Sequence, residues 1–349
     1  MCGLLGFIGE SSNKELSQKI TTALFAKTES RGTDASGFYC LGQFNSNEIY
    51  YYKKPIKSSL FVKQDEYKSI WDYNLNLGIF HCRAASAGVG VPIVNENNHP
   101  FVSSDFKKAV MHNGLIEKSD YDLLKTYYEV ETSCDSEIIL RILEQNDLIY
   151  DKLSLFYENT NNSAYAVAYS QNDNETRELY LFRNELRPLY VVDFSKQLNQ
   201  IFFFSTIDIL LSSMAEANFI VENLRIHEIQ PYNLLCIKYD KANDLSLEQF
   251  FVQQNDTSPK TDMNYNRLKK NKTDWKNKII TKDLFSFDVV NGMCNKFNDN
   301  LEKLKLYLQN ANQENTDQEK INLIFQYLKD SNKKIENVNK IISSYDLHK

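Results

Sequence analysis

The chain has 349 residues, 42% of them hydrophobic and 25% charged, with a formal net charge of −6. That usage excludes a wholly disordered chain, a collagen-like repeat and a small disulfide scaffold. The six cysteines lack the paired spacing of a zinc site, and no run is apolar and long enough to cross a membrane or serve as an export signal, so a reducing, cytoplasmic setting is expected.

The charge is unevenly spread. Residues 1–254 carry 23 basic and 33 acidic side chains, whereas residues 255–349 carry 17 and 13. An acidic body argues against a nucleic-acid-binding core.

Residues 1–250 alternate short runs rich in Phe, Tyr, Ile and Val with a few helical stretches. Strands are expected at Leu4–Ile8, Gly37–Leu41, Glu48–Lys53, Leu77–His81, Ala109–His112, Ala164–Tyr169, Leu179–Phe182, Leu189–Val192, Ile201–Ser205 and Leu234–Lys238. Helices are expected near Lys14–Lys27, Asp120–Tyr128, Asp135–Gln145 and Ile207–Met214. Many short strands with few long helices point to an α+β domain of two packed sheets with helices outside them. Residues 251–285 read as a polar linker, with basic residues clustered around Trp275.

Residues 286–349 show two heptad runs, one from Phe287 through Leu301 and Leu308, the other from Ile321 through Leu328 and Ile342. The runs are out of register, and Thr316 with Glu319 fits a capping box that restarts a helix. The expectation is a C-terminal helical hairpin. It would either pack on its own body or serve as a docking or oligomerisation arm.

The chemistry concentrates in the first 140 residues. Removal of Met1 would leave Cys2 with a thiol nucleophile and a free α-amine able to act as general base. Alone, a cysteine at this position reads better as a small buried residue at the start of a strand. Five further segments follow in order: Arg31-Gly32-Thr33-Asp34-Ala35-Ser36-Gly37, His81-Cys82-Arg83-Ala84-Ala85-Ser86-Ala87-Gly88, Asn98-His99-Pro100-Phe101, His112-Asn113-Gly114-Leu115-Ile116 and Cys134-Asp135-Ser136-Glu137.

With Met1-Cys2-Gly3-Leu4-Leu5-Gly6, these segments resemble the glutaminase domain of the class II, N-terminal-nucleophile glutamine amidotransferases, over roughly residues 1–240. The resemblance implies a four-layer αββα sandwich and hydrolysis of the L-glutamine side-chain amide through a Cys2 thioester, with neither cofactor nor metal. Asn113 and Gly114 match the oxyanion hole, although Asn-Gly also reads as a hairpin turn. Arg83 matches the group for the substrate carboxylate, with Ser86 assisting, and Asp135 the group for its ammonium. Ser133 or Asp135 also reads as a helix N-cap. Arg31 matches a residue that buttresses the nucleophile strand, and it reads equally as an ion pair with Asp34. His81, His99 and His112 read as framework residues.

Two departures stand out. Ala84 and Ala87 replace the Trp and His of the sugar-synthase branch, and the Asn98–Phe101 run resembles a stand-alone γ-glutamyl hydrolase-like branch. No nucleotide-binding or phosphoribosyl-pyrophosphate motif accompanies the domain. The expected partner is therefore an acceptor enzyme on another chain, or a second copy joined through the hairpin. Two alternatives stay open: a free-standing hydrolase of another γ-glutamyl amide, and a non-catalytic assembly module.

Overall fold

The computed structural model of the protein describes residues 1–44, 48–86, 90–173, 175–221 and 224–251. Among these residues the strands are β1 (Gly3–Ile8), β2 (Ala35–Leu41), β3 (Ile49–Lys54), β4 (Leu77–Arg83), β5 (Phe101–Val102), β6 (Lys108–Leu115), β7 (Ala164–Asn172), β8 (Thr176–Arg183), β9 (Tyr190–Phe194), β10 (Gln200–Phe204), β11 (Ile226–Glu228), β12 (Asn233–Asp240) and β13 (Leu245–Phe251). The helices are α1 (Lys14–Thr28), α2 (Ser58–Phe61), α3 (Asp65–Ser69), α4 (Lys118–Leu124), α5 (Glu137–Leu143), α6 (Ile149–Glu158), α7 (Ser195–Leu198) and α8 (Ile207–Glu216).

The strands form two antiparallel sheets, ordered β11-β9-β10-β1-β4-β2-β3 and β13-β12-β8-β7-β6-β5. Strand side chains alternate between faces, so residue parity shows which layer each contacts. Leu4 and Ile8 of β1, Tyr39 and Leu41 of β2, and Leu77 and Ile79 of β4 share one buried cluster with Ala109 and Met111 of β6, Ala166 and Ala168 of β7, and Leu179 and Leu181 of β8. This is the core between the sheets.

The opposite parity faces helices. Phe7, Phe38 and Phe80 point from the first sheet into an aromatic layer with Phe25 of α1, Phe61 of α2 and Tyr67 of α3, at ring spacings such as 5.4 Å for Phe25–Phe80 and 6.0 Å for Phe38–Phe61. On the second sheet, Val110, Tyr165, Val167, Tyr169 and Phe182 pack against Ile138, Ile139, Ile142, Leu153 and Phe156 of α5 and α6. The order of layers is therefore helix, sheet, sheet, helix, the sandwich expected from the sequence.

Helix α1 begins where the Asn13 side chain accepts the Leu16 N–H at 3.1 Å, and it buries Ser17, Ile20, Thr21, Leu24 and Thr28 along one face. All ten expected strands form. The sequence reading missed the two-residue β5, the three-residue β11, and β13, which returns along β12 after the turn at Asp240–Asp244. It also missed the short α2, α3 and α7 and the aromatic-rich α6, while α4 and α5 are shorter than expected.

Met1–Ser213 and the described residues from Arg225 onward form one compact unit. Met214–Leu224 belongs to a second, in which the Phe219 N–H donates to the Met214 carbonyl at 2.9 Å beyond the end of α8. The expected linker past Phe251 and the expected helical hairpin lie outside the described residues.

Candidate active site

Parity brings the candidate residues to one place. Cys2 continues the inward face of β1, His81 and Arg83 that of β4, and Asn113 that of β6. Gly3 pairs with Cys82, which sets the start of β1 beside the end of β4. Cys2 thus sits at one end of the inter-sheet core.

Cys2 is buried, whereas Met1 is 69% exposed. The Cys2 Sγ accepts the Ala84 N–H at 3.3 Å and donates to the Ala84 carbonyl at 3.4 Å. Burial pushes the thiol above its ordinary range; the Ala84 N–H, the N-terminal charge and Arg83 pull it down, and Asp135 pushes it up. Arg83 and Asp135 therefore both lie within electrostatic reach of the sulfur. A thiol held up by burial needs a base to ionise it.

Arg31 donates from Nε to the Cys2 carbonyl at 2.9 Å. It forms no ion pair with Asp34, whose carboxylate instead accepts the Ala85 N–H at 2.8 Å. This corrects the ion-pair reading: the two residues support opposite sides of the nucleophile, its own strand and the loop carrying its hydrogen-bond partner.

Asn113 and Gly114 are not a hairpin turn. Both lie inside β6, opposite Ala166 and Tyr165. Asn113 is almost wholly buried, and among the described residues neither Oδ1 nor Nδ2 has a hydrogen-bond partner. Buried amides are ordinarily paired, so this unpartnered pair of polar atoms stands out.

The Gly114 N–H is open for a different reason. Tyr165 exchanges its backbone hydrogen bonds with Asn184, accepting the Asn184 N–H at 3.0 Å and donating to Asn184 Oδ1 at 3.2 Å. In an antiparallel ladder both polar groups of a residue point the same way, so Tyr165 offers none to Gly114. The Gly114 N–H points to the other side, where β5 pairs only with Ala109 and Val110. Only glycine fits: a Cβ there would lie 1.8 Å from the Ala164 carbonyl oxygen and 2.4 Å from His112 Nε2.

The buried Arg83 guanidinium donates to Asn98 Oδ1 and to the Gly90 carbonyl, both at 2.7 Å, with Cys134 Sγ 3.9 Å away. Asp135 accepts the Ile116 N–H at 2.7 Å through Oδ2, and Ser136 Oγ lies 3.3 Å from its Oδ1. It does not cap α5, which starts at Glu137 without a side-chain cap, and Ser133 donates to Asn97 instead. Both N-cap readings are therefore wrong. Ser86 is exposed and makes no hydrogen bond among the described residues.

The three framework histidines form one buried cluster. His81 donates from Nε2 to the His112 carbonyl (2.9 Å), its ring lies 4.0 Å from that of His99, and His112 Nδ1 meets Ser136 Oγ at 2.8 Å. Burial lowers His81 to about 3, His99 well below its ordinary range, and His112 in the same direction. They are neutral supports.

Lys53 was missed altogether. Its ammonium donates to the carbonyls of Glu96, Asn98 and Pro100 at 3.1, 2.7 and 3.1 Å, and burial lowers it to about 8. An exposed-looking Lys-Lys pair at a strand end gives no sequence signal of such a role. Among the described residues no group of acidic, His and Cys side chains could hold a metal ion.

An αββα sandwich with a cysteine at the head of an inner strand is the layer arrangement of an N-terminal-nucleophile hydrolase fold. No protein-family model matches the chain. Curated relatives include glutamine–fructose-6-phosphate aminotransferase (isomerizing) of Oceanobacillus iheyensis, 31% identical over 199 residues, covering 55% of this chain and 30% of that protein. The enzymes of the same name from Bacillus thuringiensis and Staphylococcus aureus are both 32% identical, over 151 and 148 residues, covering 42% and 41% of this chain and 22% of each relative. The chain thus spans less than a third of the length of these relatives.

Among solved structures, the glutamine phosphoribosylpyrophosphate amidotransferase of B. subtilis superposes with a TM-score of 0.49 at 16% identity, covering 73% of this chain and 50% of that one. A glutamine aminotransferase class-II domain protein from Silicibacter pomeroyi gives 0.42 at 13%, covering 72% and 100%. Over about half its length, the chain is thus similar to glutamine-dependent aminotransferases.

Proposed function

We propose that the chain hydrolyses the side-chain amide of L-glutamine and supplies the ammonia to an acceptor enzyme. The observation that carries this reading is a buried Cys2 thiol within electrostatic reach of both Arg83 and Asp135, with the unpartnered, buried Asn113 amide on the same inter-sheet face.

Met1 is exposed enough for an aminopeptidase to remove it, which frees the Cys2 α-amine. That amine takes the thiol proton, and Sγ attacks the amide carbon of glutamine, forming a C–S bond. The resulting oxyanion sits between Asn113 Nδ2 and the Gly114 N–H. The protonated amine returns the proton to the leaving nitrogen, the C–N bond breaks, and ammonia departs. Water then attacks the γ-glutamyl thioester, giving glutamate and restoring the thiol. Arg83 holds the substrate carboxylate and Asp135 its ammonium.

The five described cysteines are all free and buried, which supports a reducing, cytoplasmic setting. The relatives are enzymes whose names state a sugar-phosphate acceptor reaction; in our reading the ammonia passes to an acceptor enzyme met through the heptad segments 286–349 acting as a coiled-coil arm.

The test is the intact mass of the full chain before and after 6-diazo-5-oxo-L-norleucine. Loss of Met1 with one adduct on Cys2 is expected. A chain that keeps Met1 and takes no label refutes the mechanism; a processed but unlabelled chain favours another amide substrate.

A further inference from the structure

Lys53 lies on β3, the edge strand of the first sheet, away from the nucleophile strand. An ammonium has three donors. Those of Lys53 meet three carbonyls of one loop, Glu96, Asn98 and Pro100, and Nζ also stands 5.1 Å over the Phe101 ring. The loop is tied back to the same residue, since Asn95 Nδ2 donates to the Lys53 carbonyl at 2.9 Å. Within this clasp, Asn98 Nδ2 donates to the Pro92 carbonyl and Asn98 Oδ1 accepts Arg83 Nη1, each at 2.7 Å. Lys53 thus acts on Arg83 through a single residue. Removing a buried cation from water is costly, and burial indeed depresses this one, so its retention calls for a role that a neutral side chain would not fill.

We propose that Lys53 is a positioning residue for recognition of the substrate α-carboxylate, fixing the loop so that Asn98 orients the Arg83 guanidinium. The proposal rests on the reading of Arg83 as the carboxylate group. A planar guanidinium discriminates by direction, and a loosened Asn98 would let the fork rotate away from a bidentate approach.

The experiment measures steady-state hydrolysis by the full-length protein of L-glutamine and of its α-carboxamide analogue, which lacks the carboxylate. For Lys53→Met, KM for glutamine rises about tenfold with kcat within about threefold, while kcat/KM for the analogue stays within about twofold. In the Lys53→Met/Asn98→Ala double variant, KM matches that of Asn98→Ala alone, because both act along one path. Equal losses on the two substrates, or additive losses in the double variant, overturn the proposal. Should Lys53→Met fail to fold, Lys53→Arg keeps the cation but replaces the tetrahedral donors with a planar fork; a smaller rise, on glutamine alone, is then expected, and no substrate selectivity overturns the proposal. Wild-type protein without glutaminase activity overturns the functional reading instead. Hydrogen–deuterium exchange of residues 95–101 then decides the clasp: acceleration of about tenfold in the variant sustains it, and unchanged exchange removes it.

Discussion

Replacing Asn113 by alanine separates catalysis from stability with opposite expectations. The side chain is almost wholly buried, and neither of its polar atoms has a partner among the described residues. Truncating a buried, hydrogen-bonded side chain ordinarily destabilises by leaving a partner unpaired, at about 1–3 kcal/mol. Here there is no partner to strand, and the desolvation cost of the open amide is itself removed, which offsets the lost packing. The expected change in unfolding free energy is therefore within about 1 kcal/mol of zero. Turnover behaves differently. Loss of one oxyanion donor costs about 100- to 1,000-fold in kcat, or roughly 2.7–4 kcal/mol in the transition state. The assays are urea unfolding and glutamine hydrolysis on the same preparation. A drop in kcat below about tenfold, or a destabilisation above about 3 kcal/mol, would refute the assignment of Asn113 as an open oxyanion donor.

Asp135→Asn keeps an acceptor for the Ile116 N–H but removes the charge offered to the substrate ammonium, so KM should rise about 10- to 100-fold with the fold intact; unchanged KM would remove Asp135 from the substrate site. Cys2→Ala should take no 6-diazo-5-oxo-L-norleucine adduct, and persisting glutaminase activity would sink the thioester mechanism. Gly37→Ala would place a Cβ 2.0 Å from the His99 carbonyl oxygen, so a loss of about 1–3 kcal/mol in chemical unfolding is expected, together with a higher KM; wild-type values for both would show that this loop can yield. The buried histidines make stability pH-dependent. Below pH 6.5 the unfolded chain takes up protons that native His81, lowered to about 3, does not, so stability falls as pH falls from 6.5 toward 3. His99 and His112 shift the same way, and each contributes up to about 1.4 kcal/mol per pH unit inside its window. Urea midpoints at pH 7 and 5 check this, and equal midpoints would show that the native cluster accepts protons.

The sandwich was legible because both sheets bury both faces. Runs such as Leu77–Arg83 and Ala164–Asn172 are apolar enough to mark strands without help from their neighbours, while the helices that cover them are short. What escaped notice has a physical cause in each case. A two-residue strand such as β5 has no period to read, and the aromatic content of α6 mimics a strand. Cys2, Asn113-Gly114, Arg83 and Asp135 were singled out by the motifs that carry the family resemblance. Their local settings were not. Asn113-Gly114 carries the composition of a turn, yet it lies in β6 because Ala164 and His112 crowd the glycine and Tyr165 is already bonded to Asn184. The openness of the Gly114 N–H thus comes from ladder alternation at a strand end beyond β5, and not from a bend. Arg31, Asp34 and Ser133 likewise have partners set by tertiary contact, the Cys2 carbonyl, the Ala85 N–H and Asn97, that no local motif encodes. Lys53 is the limiting case: nothing nearby in sequence distinguishes it from Lys54, whose amine reaches only Gln64, and its role arises because a loop more than forty residues away turns three carbonyls toward it. Residues that contact a substrate are constrained by chemistry and can be read from the chain. Residues that hold those contacts in place are constrained by geometry, and only the folded structure shows them.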